Sequence, residues 1–152
     1  MLSVPELVDK LQLDLTRKTS SFAEYLTMCS PYVPSGAEPL WDLLLHVRDE
    51  ERVHARLLGR AIVEHNGIPS PGAYDEGSPD ANYLHIFYLY DLLIRSKEAS
   101  IRVFESRAEE TRDYPAAHKV IQSILDDERR QLRELRDSLM PVRSNSTSQV
   151  EA

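Results

Sequence analysis

The chain is poor in cysteine, in basic charge and in long apolar runs, and each shortage excludes a class of protein. Its 152 residues include one cysteine, Cys29, so no disulfide framework and no zinc site made of several thiolates is expected. The formal net charge of −7 argues against nucleic acid and against an anionic membrane surface as partners. No apolar run approaches the ~20 residues that span a bilayer.

The same composition indicates one ordinary globular domain. Hydrophobic residues make up 41% and charged residues 28% of the chain, and this length supports a single domain with a real core. The first ten residues, MLSVPELVDK, contain acidic residues early and no apolar core, so no signal peptide is expected. Together with the single cysteine, this predicts a cytoplasmic protein.

Helical periodicity covers nearly the whole sequence and predicts an all-α fold. Ser3 and Glu6 have the spacing of a capping box, as do Ser35 and Glu38, and Ser78-Pro79 marks a third start. Four helices are predicted, over residues 4–28, 39–65, 80–111 and 115–140. We expect residues 1–141 to form the domain and the polar residues 142–152 to form a disordered tail.

The connections between these helices predict the topology. PYVPSG and RDYP are short, which favours two antiparallel hairpins. The middle connection, GIPSPGAYDEGSP, is longer than a turn needs, and when extended it reaches ~43–47 Å. A helix of the predicted length spans ~40 Å. The sequence therefore predicts two hairpins joined by a long crossover, with the second and third helices parallel.

Several polar residues interrupt the apolar stripes of these helices at one level. Glu51 and His54 lie within the stripe of the second helix. Lys18 lies opposite Glu51 in the first hairpin, and Glu98 lies opposite Glu128 in the second. Because an uncompensated buried charge is very unfavourable, these groups are expected to meet and to be paired, neutralised or metal-bound.

Two segments resemble helices of the bacterioferritin and rubrerythrin branch of the ferritin-like superfamily. RDEERVHARLLGRAIVEHNGIP is similar to the second helix of those proteins and DYPAAHKVIQSILDDERRQLREL to the fourth. The resemblance implies a ferritin-like four-helix bundle, a di-metal centre, and iron handling with ferroxidase or peroxidase chemistry. Glu51, His54 and Glu128 match family ligands. Lys18 and Gln131 stand where the family has a glutamate and a histidine.

The third helix leaves two alternatives for its residue at the site. Glu98 is the residue of this helix that lies at the same level as Glu128 in the hairpin. The apolar stripe of the helix and the resemblance instead place Ile94 at the family's ligand position. Glu98 also fits a solvated face of that helix, and Glu51 with His54 also fits an ordinary buried hydrogen-bonded pair.

These observations predict a degenerate di-metal centre and two possible functions. The first is an interaction or assembly module without ferroxidase activity, in which Lys18 neutralises the remaining carboxylates. The second is a redox or iron-handling protein that binds one divalent ion of iron, manganese or zinc through Glu51, His54, Glu128 and Glu98. In either case we expect a homo-oligomer, a dimer formed by apolar surface of the third helix over residues 87–93.

Overall fold

The computed structural model describes residues 1–70, 72 and 82–151 and contains five helices. They are α1 (Val4–Thr19), α2 (Phe22–Thr27), α3 (Glu38–Glu64), α4 (Ile86–Glu110) and α5 (Pro115–Glu151). The short helix α2 continues the direction of the chain after α1, so the bundle has four helical columns. No helix in the described ranges is long and apolar enough to cross a membrane.

Two clusters of buried side chains show how the helices run. The first core cluster joins the start of α1 and of α5 to the ends of α3 and α4. The second core cluster joins α2 and the end of α5 to the starts of α3 and α4. Hence α1–α2 and α3 form one antiparallel hairpin, α4 and α5 form the other, and α3 and α4 are parallel. The predicted topology of two hairpins joined by a crossover is confirmed, although most of the crossover, residues 71 and 73–81, lies outside the described residues.

The first predicted helix is interrupted near its middle. Ser3 caps α1 through the predicted box, in which the Ser3 N–H donates to Glu6 at 2.8 Å. The chain then leaves the helix at Ser20, and the Ser21 side chain caps α2 by accepting from the Glu24 N–H at 3.1 Å. A single helix over residues 4–28 is therefore wrong, because serine side chains compete for backbone hydrogen bonds and favour a new N-cap.

The starts of α3 and α4 also differ from the predictions. Ala37 precedes α3 and makes no side-chain cap, while the Glu38 carboxylate accepts from the Gly36 N–H at 2.8 Å, so Ser35 caps nothing here. Helix α4 begins at Ile86, six residues after the predicted start, and His85 caps it by accepting from the Phe87 N–H. The predicted start signal Ser78-Pro79 lies outside the described residues.

The last helix extends beyond the end predicted before Pro141, into the segment predicted to be a disordered tail. Pro141 lies inside α5, which continues to Glu151. Two contacts hold the helix there. Val142 packs on the second core cluster, and Arg143 pairs with Asp91 at 3.1 Å and donates to the Phe87 carbonyl. A proline is unfavourable inside a helix, and these contacts on α4 offset part of that loss.

The surface of α4 predicted to form an interface is largely used inside the bundle. Leu89, Tyr90 and Leu93 are buried in the second core cluster, and the Tyr90 hydroxyl donates to the Leu40 carbonyl at 2.5 Å. Only Tyr88 in the predicted stretch is a strongly exposed large apolar residue, with 54% of its surface accessible. The apolar sequence of this helix therefore reflects burial against α3 and α5 more than a free face.

Candidate functional site

A layer of polar residues separates the two core clusters at mid-height of the bundle. Along α3, the second core cluster ends at Val47 and the first resumes at Leu58, and along α4 the corresponding limits are Leu93 and Ile101. Between these limits every column contributes buried polar side chains, which are Lys18, Glu51, His54, Lys97, Glu128 and Gln131. The polar layer is thus built by all four columns.

Lys97 is the centre of this layer. Its ammonium group lies 2.7 Å from Oε1 of Glu51 and 3.1 Å from Oε1 of Glu128, and it donates a hydrogen bond to each. All three side chains are almost completely buried, with 3%, 6% and 0% of their surfaces exposed. One ammonium therefore bridges two carboxylates that belong to different hairpins.

Lys18 supplies the second ammonium. Its Nζ donates a short hydrogen bond to Oε1 of Glu128 and lies 3.7 Å from Oε1 of Glu51. The same Nζ lies 5.2 Å from the centre of the Phe104 ring, within the range of a cation–π contact. Two ammonium groups and two carboxylates thus balance in charge, as the burial of ionised groups requires.

The pKa values of these groups follow from burial and pairing. Burial raises the pKa of Glu51, but Lys97 and Lys18 outweigh this effect and lower it to about 2. The pKa of Glu128 is also lowered, because the same two ammonium groups outweigh its burial. Burial lowers the pKa of Lys97, yet Glu51 and Glu128 raise it above its ordinary value. All three groups are therefore ionised at neutral pH.

His54 is held by a carboxylate outside the polar layer. Its Nε2 lies 2.8 Å from Oδ2 of Asp127, on α5. Burial and the nearby Lys18 lower the pKa of His54, although Asp127 raises it, so the imidazole is neutral at pH 7. A neutral imidazole beside a carboxylate places its proton on the nitrogen that faces the carboxylate. Nδ1 of His54 is then unprotonated and has a lone pair available as an acceptor.

Some buried polar atoms of the layer have no hydrogen-bond partner among the described residues. They are Oε2 of Glu51, Nδ1 of His54, Oε2 of Glu128 and both amide atoms of Gln131. Gln131 is fully buried. Unpaired buried polar atoms are uncommon and indicate space for water or for a ligand.

The predicted site residues separate into two groups. Glu51, His54, Glu128, Lys18 and Gln131 meet in the polar layer. Glu98 does not, because its carboxylate pairs with Arg136 at 2.6 Å on the surface. Ile94 is half-buried and packs on the second core cluster.

The residue that α4 contributes is Lys97, which neither predicted alternative named. It lies between Leu93 and Ile101 at helical spacing, so the buried stripe passes through it. Lysine side chains are usually exposed, so Lys97 was not considered as a buried residue of the stripe. Asp127 was also missed, since it precedes Glu128 in a run of charged residues that resembles a solvated face.

The side chains of the layer do not fit a di-metal centre. No group of three or more His, Cys, Asp or Glu side chains in the described part of the chain could hold a metal ion. The physical reason is that the ammonium groups of Lys18 and Lys97 already occupy the space between Glu51 and Glu128. A protonated amine has no lone pair to offer a metal and repels it.

Comparison with solved structures identifies a structural relative. The dodecameric thioferritin described as the bacterioferritin-related protein from Bacteroides fragilis superposes with a TM-score of 0.78 over 97% of this chain and 92% of that chain. The chain has the ferritin-like fold. The two sequences are 19% identical, so the likeness extends to the fold alone. No family model matches the chain, and no curated protein matches it.

Proposed function

We propose that this ferritin-like bundle is a metal-independent assembly or interaction module of the cytoplasm and does not oxidise iron. One observation carries the proposal: the Lys97 ammonium bridges Glu51 and Glu128, at 2.7 Å and 3.1 Å. In di-iron bundles the carboxylates of facing helices converge on metal. Here an ammonium group forms the bridge.

The charge of the layer supports this proposal. Two carboxylates and two ammonium groups sum to zero without a metal, so the folded state is neutralised by the chain itself. A divalent ion could enter only if the lysines lost protons or moved away. The raised pKa of Lys97, caused by Glu51 and Glu128, makes the loss of a proton unfavourable.

Self-association is the second part of the proposal. The structural relative is described as dodecameric, which makes homo-oligomerisation a reasonable expectation for a chain of the same fold. Tyr88 on α4 is an exposed aromatic residue in the stretch predicted as an interface, and aromatic residues are enriched at protein interfaces. We propose a dimer as the basic unit.

The test is the metal content of the purified protein together with its rate of Fe²⁺ oxidation in air. We expect less than stoichiometric iron, manganese and zinc, and oxidation no faster than in buffer. His54→Ala and the matched surface variant His46→Ala should leave both quantities unchanged. Two iron atoms per chain, with oxidation faster than in buffer, would overturn the proposal.

A second candidate function, the handling of one divalent ion, is favoured by a different observation. Nδ1 of His54 and Oε2 of Glu128 are buried, unpaired within the described residues and chemically suited to iron, manganese or zinc. This candidate predicts one equivalent of metal per chain in the parent protein. It also predicts that His54→Ala loses that equivalent while His46→Ala retains it.

A further inference from the structure

A cleft leads from the surface toward the polar layer at the break between α1 and α2. It has a volume of about 290 Å³, and α4 forms its opposite wall. Ser20 and Ser21, at which α1 ends and α2 begins, line the cleft. Glu51, Lys18 and Lys97 of the polar layer belong to the same lining. The helix break therefore gives a small molecule a route to the charged groups of the layer.

Oε2 of Glu51 is the buried atom of this lining that lacks a partner. Glu51 exposes 5% of its surface, and its Oε1 accepts a hydrogen bond from Lys97, but no described residue donates to Oε2. Burial raises the pKa of Glu51 and the two lysines lower it, and the Ser21 hydroxyl on the cleft wall lowers it further. The carboxylate therefore lies close to the cleft wall, and a ligand that satisfies it must donate a hydrogen bond.

The charge balance of the layer decides which kind of donor fits. The ammonium groups of Lys18 and Lys97 already balance the carboxylates of Glu51 and Glu128. An anion would add a negative charge and no donor, and a cation would add a positive charge beside the two lysines. Burying either charge without compensation is very unfavourable. A neutral hydroxyl group supplies one O–H donor and leaves the balance unchanged.

The walls of the cleft suit an alkyl chain. Phe22, Leu93 and Val103 line it, and an alkyl group that covers them removes apolar surface from water, which is favourable. The half-buried Ser100 lies beside them on α4, and its hydroxyl can donate to the oxygen of a ligand. The volume of the cleft is close to the lower end of the ~300–1,000 Å³ found for ligand pockets, which limits the ligand to a small molecule.

We infer that the cleft between the α1–α2 break and α4 binds a short-chain alcohol, whose hydroxyl group donates a hydrogen bond to Oε2 of Glu51. The alkyl chain of this ligand packs against Phe22, Leu93 and Val103. The alcohol takes the place of the water that would otherwise donate to this buried oxygen. This inference goes beyond an assembly role and gives the bundle a neutral small-molecule ligand.

The test is NMR titration of isotope-labelled full-length protein, stripped of metal, with pentanol and with its isomer methoxybutane, an ether that has no O–H donor. We expect saturable shifts with pentanol at the amides of residues 20–23 and 96–100 and at the side-chain carboxyl carbon of Glu51. Pentanol should bind at least about tenfold more tightly than methoxybutane, because a hydrogen bond to a charged group is worth at least that factor. Pentanoate and pentylammonium should bind more weakly than pentanol, because each adds an unbalanced charge.

Two matched variants locate the ligand. Ser100→Trp fills the cleft and should weaken pentanol binding at least about tenfold, whereas Arg102→Trp, exposed on the same helix and outside the cleft, should leave it unchanged. The inference is overturned if pentanol does not saturate, if methoxybutane or either charged analogue binds equally well, or if Ser100→Trp retains full affinity. Because the protein is free of metal throughout, these outcomes do not depend on the metal content that tests the proposed function.

Discussion

Lys97 Nζ on α4 lies 2.7 Å from Oε1 of Glu51 on α3, and this contact joins the two hairpins of the bundle at mid-height. The same ammonium reaches Glu128 on α5. An ion pair that is buried between apolar layers contributes little net stability compared with well-packed apolar residues, but breaking it leaves an uncompensated charge. We therefore interpret the polar layer as a device that fixes the register of one hairpin against the other.

The first prediction concerns the loss of this ammonium. Lys97→Met should lower the free energy of unfolding by ~3–5 kcal/mol, because it leaves Glu51 and Glu128 buried with one remaining counter-charge. Urea denaturation measures the change. Lys119→Met, at an exposed position of α5, is the matched control and should alter stability by less than ~0.5 kcal/mol.

Replacing both partners distinguishes a lost charge partner from lost packing. Lys97→Met combined with Glu51→Leu should be less destabilising than Lys97→Met alone, since neither charge of the closest pair is then left unpaired. If the double variant is as unstable as the sum of the single variants, the pair is not coupled and the interpretation of the layer is wrong.

The sequence predicted the columns and the level of the site because both depend on repeating patterns. Apolar spacing located the long helices, and distances from each turn brought Lys18, Glu51 and Glu128 to one height. These distances along the chain could not decide which residue of the third column faces the site. Glu98 and Lys97 are neighbours at the same height, and only the rotation of α4 about its axis decides which of them faces inward.

The helix ends were harder to predict for a different physical reason. The break at Ser20–Ser21 depends on the Ser21 side chain accepting from the Glu24 N–H, and after it the buried positions are Ala23 and Leu26. The extension of α5 past Pro141 depends on Arg143 reaching Asp91 on another helix. Tertiary contacts of this kind leave no local signal.

The second prediction concerns acid. Lys97 and Lys18 lower the pKa of Glu51 from 4.5 to about 2, in spite of its burial. Because the pKa of Glu51 is lower in the folded state, its ionised form stabilises the fold at any pH above the ordinary pKa of 4.5. This stabilisation decreases as the pH falls below 4.5 and is lost as it passes through about 2. Its size is about 3 kcal/mol at ~1.4 kcal/mol per pKa unit.

Denaturation between pH 5 and pH 2 tests this linkage. The parent protein should lose stability steeply over this range, and Glu51→Gln should show a flatter dependence because it removes the titrating group. Glu64→Gln, at an exposed position of the same helix, should keep the slope of the parent. Equal slopes for the parent and Glu51→Gln would show that Glu51 is not held ionised by the lysines.

The third prediction restores a carboxylate to the first column. Lys18→Glu should destabilise the metal-free protein, because it places a third carboxylate beside Glu51 and Glu128 with one ammonium left to neutralise them. Added Zn²⁺ should stabilise this variant, by ~2.7 kcal/mol at one hundred times its Kd, since the ion binds the folded state.

Thermal unfolding with and without Zn²⁺ provides the measurement. The parent protein and Lys119→Glu, which carries the same charge change on the surface, should show no comparable response to the ion. If Lys18→Glu melts like the parent without metal and does not respond to Zn²⁺, Lys18 does not neutralise the carboxylates of the polar layer.

The last prediction concerns self-association through α4. Tyr88 exposes 54% of its surface next to a helix face that is otherwise buried in the bundle, so it is the aromatic residue of this stretch left for a partner chain. Tyr88→Glu should shift sedimentation toward the monomer, because an interface that buries an unpaired carboxylate is strongly disfavoured. Val53→Glu introduces the same side chain on α3, at a residue that exposes 43% of its surface, and should leave the oligomer intact. An oligomer that survives Tyr88→Glu but dissociates with Val53→Glu would place the interface on α3.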